Sequence, residues 1–248
     1  MNAEPEATPV PEVIVALDYP DPEPAFELVR SLPAGTWYKV GLELFTRAGP
    51  PVVRRLVDEG RHVFLDLKLH DIPNTVAAAT RAAAAMGVRL LTLHASGGEA
   101  MLRAAALAVR VENEKSGTNT RLLAVTVLTS LDDASLASVM GAGAEVERAV
   151  GRLAGLARES GIDGVVSSVT ECRAVKLACG PGFLVVTPGI RLAGEGNQDQ
   201  KRVATPAVAK AAGADFLVVG RSITQAGDPA AALERIRAAA RRNPPPIT

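Results

Sequence analysis

The sequence has no excess of charge of either sign. Lysine plus arginine and aspartate plus glutamate each number 27, so the formal net charge is zero. A nucleic-acid partner would call for a basic excess, and that class of function is set aside. A small anionic ligand is still open, because one pocket needs only a few cations. Cysteine is scarce: Cys172 and Cys179 stand alone, without companions at metal-ligand spacing. They read as structural thiols in a reducing compartment. The three histidines, His62, His70 and His94, are scattered and make no metal site. No apolar run approaches the ~18 residues of a membrane span. The first residues carry glutamates and prolines where a signal peptide would have basic and apolar regions. Residues 1–11 and 243–248 therefore read as flexible tails, and the protein is expected in the cytoplasm.

What is present is a regular beat of short apolar runs. They are Val13–Asp18, Trp37–Gly41, His62–Lys68, Leu90–Ala95, Leu122–Leu128, Gly164–Val169, Phe183–Gly189 and Phe216–Arg221. Each is nearly continuous in apolar character, as expected of parallel strands covered on both faces. The segments between them read as helices, among them Thr75–Met86 before Gly87, Glu145–Ser160 before Gly161, and Pro229–Ala240. Eight βα units in 248 residues predict a single-domain α/β protein, a (β/α)8 TIM barrel over residues 12–242. An open doubly wound sheet is the alternative. Trp37 and Tyr38 are expected at the bottom of the barrel, and His62 is expected to be exposed.

Active sites of such barrels lie at the C-terminal ends of the strands. Here those ends carry Asp18, Lys39, Asp66, Lys68, His94, Thr129, Arg191 and Arg221. The densest stretch is Asp66-Leu-Lys-Leu-His-Asp-Ile-Pro-Asn-Thr75. Residues two apart on a strand share a face, so Asp66 and Lys68 are expected to project together into the mouth, with Leu67 and Leu69 facing the helices. A lone Asp-x-Lys is more commonly a strand-end salt bridge, and a lone Gly-Arg, as at Gly220-Arg221, more commonly a turn. The whole ten-residue string is far more specific.

That string resembles the signature segment of the orotidine 5′-phosphate decarboxylases, the bacterial branch in particular. So do Ala16-Leu-Asp18, Lys39-Val-Gly-Leu-Glu-Leu-Phe45, Thr126-Val-Leu-Thr-Ser130, Val186-Thr-Pro-Gly-Ile-Arg191 and Val218-Val-Gly-Arg-Ser222, in the family's order. The resemblance implies cofactor-free conversion of orotidine 5′-phosphate to UMP and CO2, by a homodimer with shared active sites. It implies Lys68 as proton donor, with Lys39, Asp66 and Asp71 completing an alternating charge array. Asp71 and Thr75 would come from the neighbouring subunit. Asp18 and Lys39 would hold the ribose, Thr129 the pyrimidine edge, and Gly220 with Arg221 the phosphate. Arg191 would begin a mobile lid, and Gln200 at its far end would clamp the phosphate or the base. His94 receives no task, and His70 is expected to support the turn.

Two rivals stand beside this reading. Metal-dependent sugar-phosphate decarboxylases of the same superfamily share the Asp-x-Lys but carry an acid where Lys39 stands, and a lysine repels the Mg2+ that acid would bind. A non-catalytic nucleotide-binding barrel would bury the Asp66, Lys68 and Asp71 charges at a cost that simple binding does not repay.

Overall fold

Each of the eight apolar runs forms a strand. In the computed structural model, which describes residues 9–192 and 204–244, they are β1 (Glu12–Leu17), β2 (Trp37–Gly41), β3 (His62–Leu69), β4 (Leu90–His94), β5 (Arg121–Val125), β6 (Gly164–Val166), β7 (Leu184–Thr187) and β8 (Phe216–Val219). Neighbours pair in sequence order, and β8 pairs in parallel with β1, which closes the barrel. The open-sheet alternative is thereby excluded. Most of both expected tails, residues 1–8 and 245–248, lies outside the described residues. Pro11, assigned from sequence to the first tail, is buried, and the next residue, Glu12, donates its N–H to Asp215 O at 3.0 Å.

Proline sets where many helices begin. Pro22–Ser31, Pro50–Asp58, Pro73–Ala84, Pro206–Ala212 and Pro229–Arg241 all start on it. The first turn of a helix has no partner for its N–H groups, so the missing proline donor costs nothing there. Glycine ends the helix Val146–Glu159: Gly161, at φ 82°, donates to Arg158 O, and Ile162 donates to Ala157 O at 3.0 Å. This is the Schellman arrangement, which satisfies carbonyls the helix leaves open. The helix expected over Thr75–Met86 spans Pro73–Ala84, and Gly87 lies two residues past its cap.

Two apolar layers follow from the strand alternation. Ile14, Ala16, Phe64, Leu90, Leu123, Val186, Phe216 and Val218 fill the inside, and their strand neighbours pack outward under the helices. Trp37 closes the inner floor, its ring 5.0 Å from Phe216 and 4.9 Å from His62. His62 is half-buried by that contact instead of exposed. Tyr38 points the other way: it is fully buried outside the barrel wall, its hydroxyl donating to Val29 O at 3.4 Å.

Strands β6 and β7 approach each other closely at Gly164. A methyl group on Gly164 would stand 2.5 Å from Leu184 Cβ and would also overlap the Leu184 carbonyl. Because a backbone atom must move, Gly164→Ala is expected to cost about 2 kcal/mol or more, roughly 5 °C in Tm, by the usual scale of overpacking. A thermal melt within 1 °C or so of the wild type, on that scale, would show that the barrel relaxes freely there.

Candidate active site

Going up β2, β3 and β4, the inward-facing positions change from apolar to polar. On β2 Trp37 is followed two residues later by Lys39, on β3 Phe64 by Asp66, and on β4 Leu90 by Thr92 and His94. The polar ends converge. Lys39 Nζ donates to Asp18 Oδ1 at 2.8 Å and lies 3.9 Å from Asp66 Oδ2. Lys68 Nζ donates to the same Asp66 oxygen at 2.7 Å. Asp18, Lys39, Asp66 and Lys68 thus alternate in sign along one line. Asp66 is the buried member, 8% exposed, while Asp18 reaches solvent.

Strand alternation does not by itself bring Lys68 to Asp66. Leu65 pairs with Leu91 and Leu69 with Leu93, so β3 takes four steps against two on β4. Within this bulge Lys68 adopts φ 50°, alone in that region among the described non-glycine residues. A left-handed residue with a side chain costs about 1–2 kcal/mol. The turn is offset by the Lys68 N–H, which donates to Thr92 Oγ1 at 2.9 Å, and by the ion pair above. Leu67 and Leu69 pack against the outer layer, as expected.

His94 is half-buried with its ring centroid 5.2 Å from that of His70. Burial first, then the charges of His70 and Lys68, pulls its pKa below the usual histidine value, opposed only by Asp66.

A cavity of about 640 Å³ opens above the array. Its wall brings together Asp18, Lys39, Asp66, Lys68, Thr129, Arg191, Gly220 and Arg221. Thr129 reaches the wall from a loop, because β5 ends at Val125 instead of near Leu128. Thr126 leaves the sheet there, its hydroxyl donating to Val166 O at 3.2 Å. Arg191 sits at a pinned loop base: its N–H donates to Ala204 O, and Ala204 N–H donates to Gly189 O, both at 3.0 Å. A Cβ at Gly220 would meet Ala16 and Asp18 only at ordinary contact distance, 3.8 and 3.9 Å, so packing within the chain does not demand glycine.

Two expected site residues are not on this wall. Asp71 is exposed, its Oδ1 accepting the Ile72 N–H at 2.6 Å, and among the described residues no ion pair joins it to Lys68. Thr75 is exposed in the first turn of its helix. Gln200 lies outside the described residues. Within one chain the fourth charge of the array is therefore Asp18, not Asp71.

Sequence reading missed Thr92, Gly41 and Tyr19. Thr92 is fully buried, and its Oγ1 also donates to Asp66 Oδ1 at 2.9 Å. A lone hydroxyl amid the leucines of β4 was its signal. A Cβ on Gly41 would meet Lys39 Nζ at 2.9 Å and Asp18 Oδ1 at 3.4 Å, so this glycine leaves room for the ion pair. Tyr19 lines the cavity, and its hydroxyl donates to Thr224 O at 3.5 Å. Nothing in the sequence around it gave a signal.

Residues 11–236 match the orotidine 5′-phosphate decarboxylase / HUMPS family. The orotidine 5′-phosphate decarboxylase of Moorella thermoacetica is 53% identical over 229 residues, 92% of this chain and 91% of that one. Its counterpart in Halorhodospira halophila is 55% identical over 92% of this chain and 95% of its own. The crystal structure of orotidine 5′-phosphate decarboxylase from Lactobacillus acidophilus superposes with a TM-score of 0.82 at 38% identity, covering 94% of this chain and 100% of that one. Barrel, charged mouth and sequence agree from end to end, and this chain belongs to the orotidine 5′-phosphate decarboxylase / HUMPS family.

Proposed function

We propose that the chain decarboxylates orotidine 5′-phosphate to UMP and CO2, the last step of de novo pyrimidine synthesis, without a cofactor, in the cytoplasm. One observation carries the reading: the Lys68 ammonium is fixed on Asp66 at the floor of the cavity, with Lys39 beside them. The metal-dependent relatives need an acid where this chain has Lys39. An ammonium 3.9 Å from Asp66 fills that place with positive charge, and the metal-dependent reading loses its ligand set.

The chemistry follows from charge. The bond from C6 to the carboxylate breaks, its electron pair stays on C6, and CO2 leaves. No neighbouring carbonyl is placed to spread that pair, and no electron-sink cofactor is invoked. A fixed cation in a water-poor pocket is then the main stabiliser, because preorganised charge needs no rearrangement as the carbanion forms. The Lys68 ammonium supplies that charge and then its proton to C6, leaving a neutral amine that solvent reprotonates. Lys39 and Asp66 hold the ammonium, Asp18 with Lys39 meets the ribose, Thr129 the pyrimidine edge, and Gly220 with Arg221 the phosphate. Arg191, also on the cavity wall, adds a further cation toward the nucleotide.

Lys68→Ala is expected to abolish turnover while the protein stays folded and still binds UMP. Near-normal turnover in a sample of verified purity would remove Lys68 from the mechanism. Arg221→Ala is expected to weaken orotidine 5′-phosphate binding by about 2–3 kcal/mol, roughly 30- to 160-fold in Kd, as for losing a charge-assisted bidentate contact. Binding of the unphosphorylated nucleoside should barely change. Equal losses for both ligands would show that Arg221 does not read the phosphate.

The site is shared across a homodimer, with Asp71 and Thr75 acting on the partner's substrate. Supporting this, Asp71 is exposed and unpaired with its own Lys68, and Ile72 beside it is an apolar side chain 66% exposed. A two-fold dimer makes such an exchange reciprocal. Mixing inactive Lys68→Ala with inactive Asp71→Ala protein and letting subunits exchange gives heterodimers with one intact site each. Random pairing should restore about a quarter of wild-type activity. Zero activity after demonstrated exchange would place Asp71 in its own subunit's site.

A further inference from the structure

Thr92 stands between the two groups on which the proposed chemistry depends. Its Oγ1 accepts the Lys68 N–H at 2.9 Å and donates to Asp66 Oδ1 at 2.9 Å. A hydroxyl carries one proton. Because a lone pair takes the Lys68 N–H, that proton is committed to Asp66. Asp66 Oδ1 is thereby held as an acceptor, and Oδ2 is left facing Lys68 Nζ at 2.7 Å and Lys39 Nζ at 3.9 Å. The same bond fixes the direction of the Lys68 amide, which belongs to the one described non-glycine residue at positive φ. The left-handed turn folds the lysine side chain back onto Asp66. One buried hydroxyl thus holds both the turn of the lysine and the rotation of the carboxylate.

We propose that Thr92 is a positioning residue for decarboxylation, its hydroxyl locking the Lys68 backbone and the Asp66 carboxylate into a single unit that aims the ammonium. This rests on the function proposed above. Thr92 is fully buried and is not on the cavity wall, so it acts through Lys68 and Asp66 and not on the nucleotide. Valine has nearly the same shape but neither bonding role, whereas serine keeps both. Without the hydroxyl, Lys68 can relax toward an ordinary φ and the carboxylate can turn. A displacement of about 1 Å at a reacting group costs on the order of 100-fold in rate. Nucleotide binding, which other residues carry, should hardly change.

The test compares wild type, Thr92→Val and Thr92→Ser by kcat and KM for orotidine 5′-phosphate, Kd for UMP, thermal melting and crystal structures. Thr92→Val is expected to lose kcat about 100-fold with Kd for UMP within about 3-fold, as misaiming without lost binding predicts. Thr92→Ser should stay within about 5-fold of wild type in kcat because it keeps both bonds. In the Thr92→Val structure Lys68 φ should turn negative, and in Thr92→Ser it should remain positive. Should the valine variant not fold, Thr92→Cys, a weak donor, replaces it, with kcat expected about 10-fold down or more. A kcat for the replaced hydroxyl within about 3-fold of wild type, a parallel fall in UMP affinity, or serine behaving like valine would each overturn the proposal. A wild-type protein that releases no CO2 would instead refute the proposed function. The Lys68 backbone in the variant structures would then still decide whether Thr92 holds the turn.

Discussion

Taking a carboxylate out of water is costly unless every lone pair that water served is met by a fixed partner, and the mouth of this barrel is arranged around that requirement at Asp66. One of its oxygens accepts from Thr92 and the other from Lys68, with Lys39 behind. Each partner has requirements of its own. Lys39 leans on Asp18, and the room for that pair exists because position 41 is glycine. Lys68 reaches Asp66 only through a left-handed residue inside a bulge of β3. Removing one member leaves another charge without its partner, so the array holds together as a unit. Under the proposed function, a cation that stabilises a short-lived carbanion benefits from that stiffness, because a charge already in place need not reorganise when the carbanion forms.

The barrel supplies the array by a simple rule of alternation. Inward positions are apolar near the strand starts, where Trp37, Phe64, Leu90 and Phe216 pack a dry floor. Two residues further along, the same faces carry Lys39, Asp66 and Thr92. The apolar floor does more than stabilise the fold. It walls the charges off from water on one side, and electrostatic interactions weaken less across protein than across solvent.

The strands were legible in the sequence as nearly continuous apolar runs. Asp18, Lys39, Asp66 and Arg221, carried at or near the ends of those runs, marked the barrel's mouth, since parallel strands covered on both faces admit charge only where they end. What could not be read depends on distances between strands. The bulge at Lys68 exists because β3 and β4 lose register, which no single strand reveals. Thr92 offers only a lone hydroxyl amid the leucines of β4, and the groups it bonds lie on β3. Thr129 belongs to a loop because Thr126 turns its hydroxyl onto β6. Tyr38 seemed a companion of Trp37, yet adjacent residues on a strand face opposite ways, and the two rings lie on opposite sides of the barrel wall.

Net charge hid the most telling feature of the site. The chain as a whole is neutral, but among the described residues the charged ones lining the cavity are Lys39, Lys68, Arg191 and Arg221 against Asp18 and Asp66. The described part of the wall therefore carries an excess of positive charge. Under the proposed function the substrate brings a phosphate, close to doubly ionised at neutral pH, and a carboxylate. Both ends suit such a wall, but they meet different parts of it. Arg221 follows β8, whereas Lys68 closes β3 and is tied to Asp66. The phosphate keeps its charge throughout the reaction. The carboxylate leaves as neutral CO2, and the ammonium beneath it gives up a proton, so the floor of the site loses one charge of each sign in the same turnover. The local balance of the pocket is then unchanged by the chemistry.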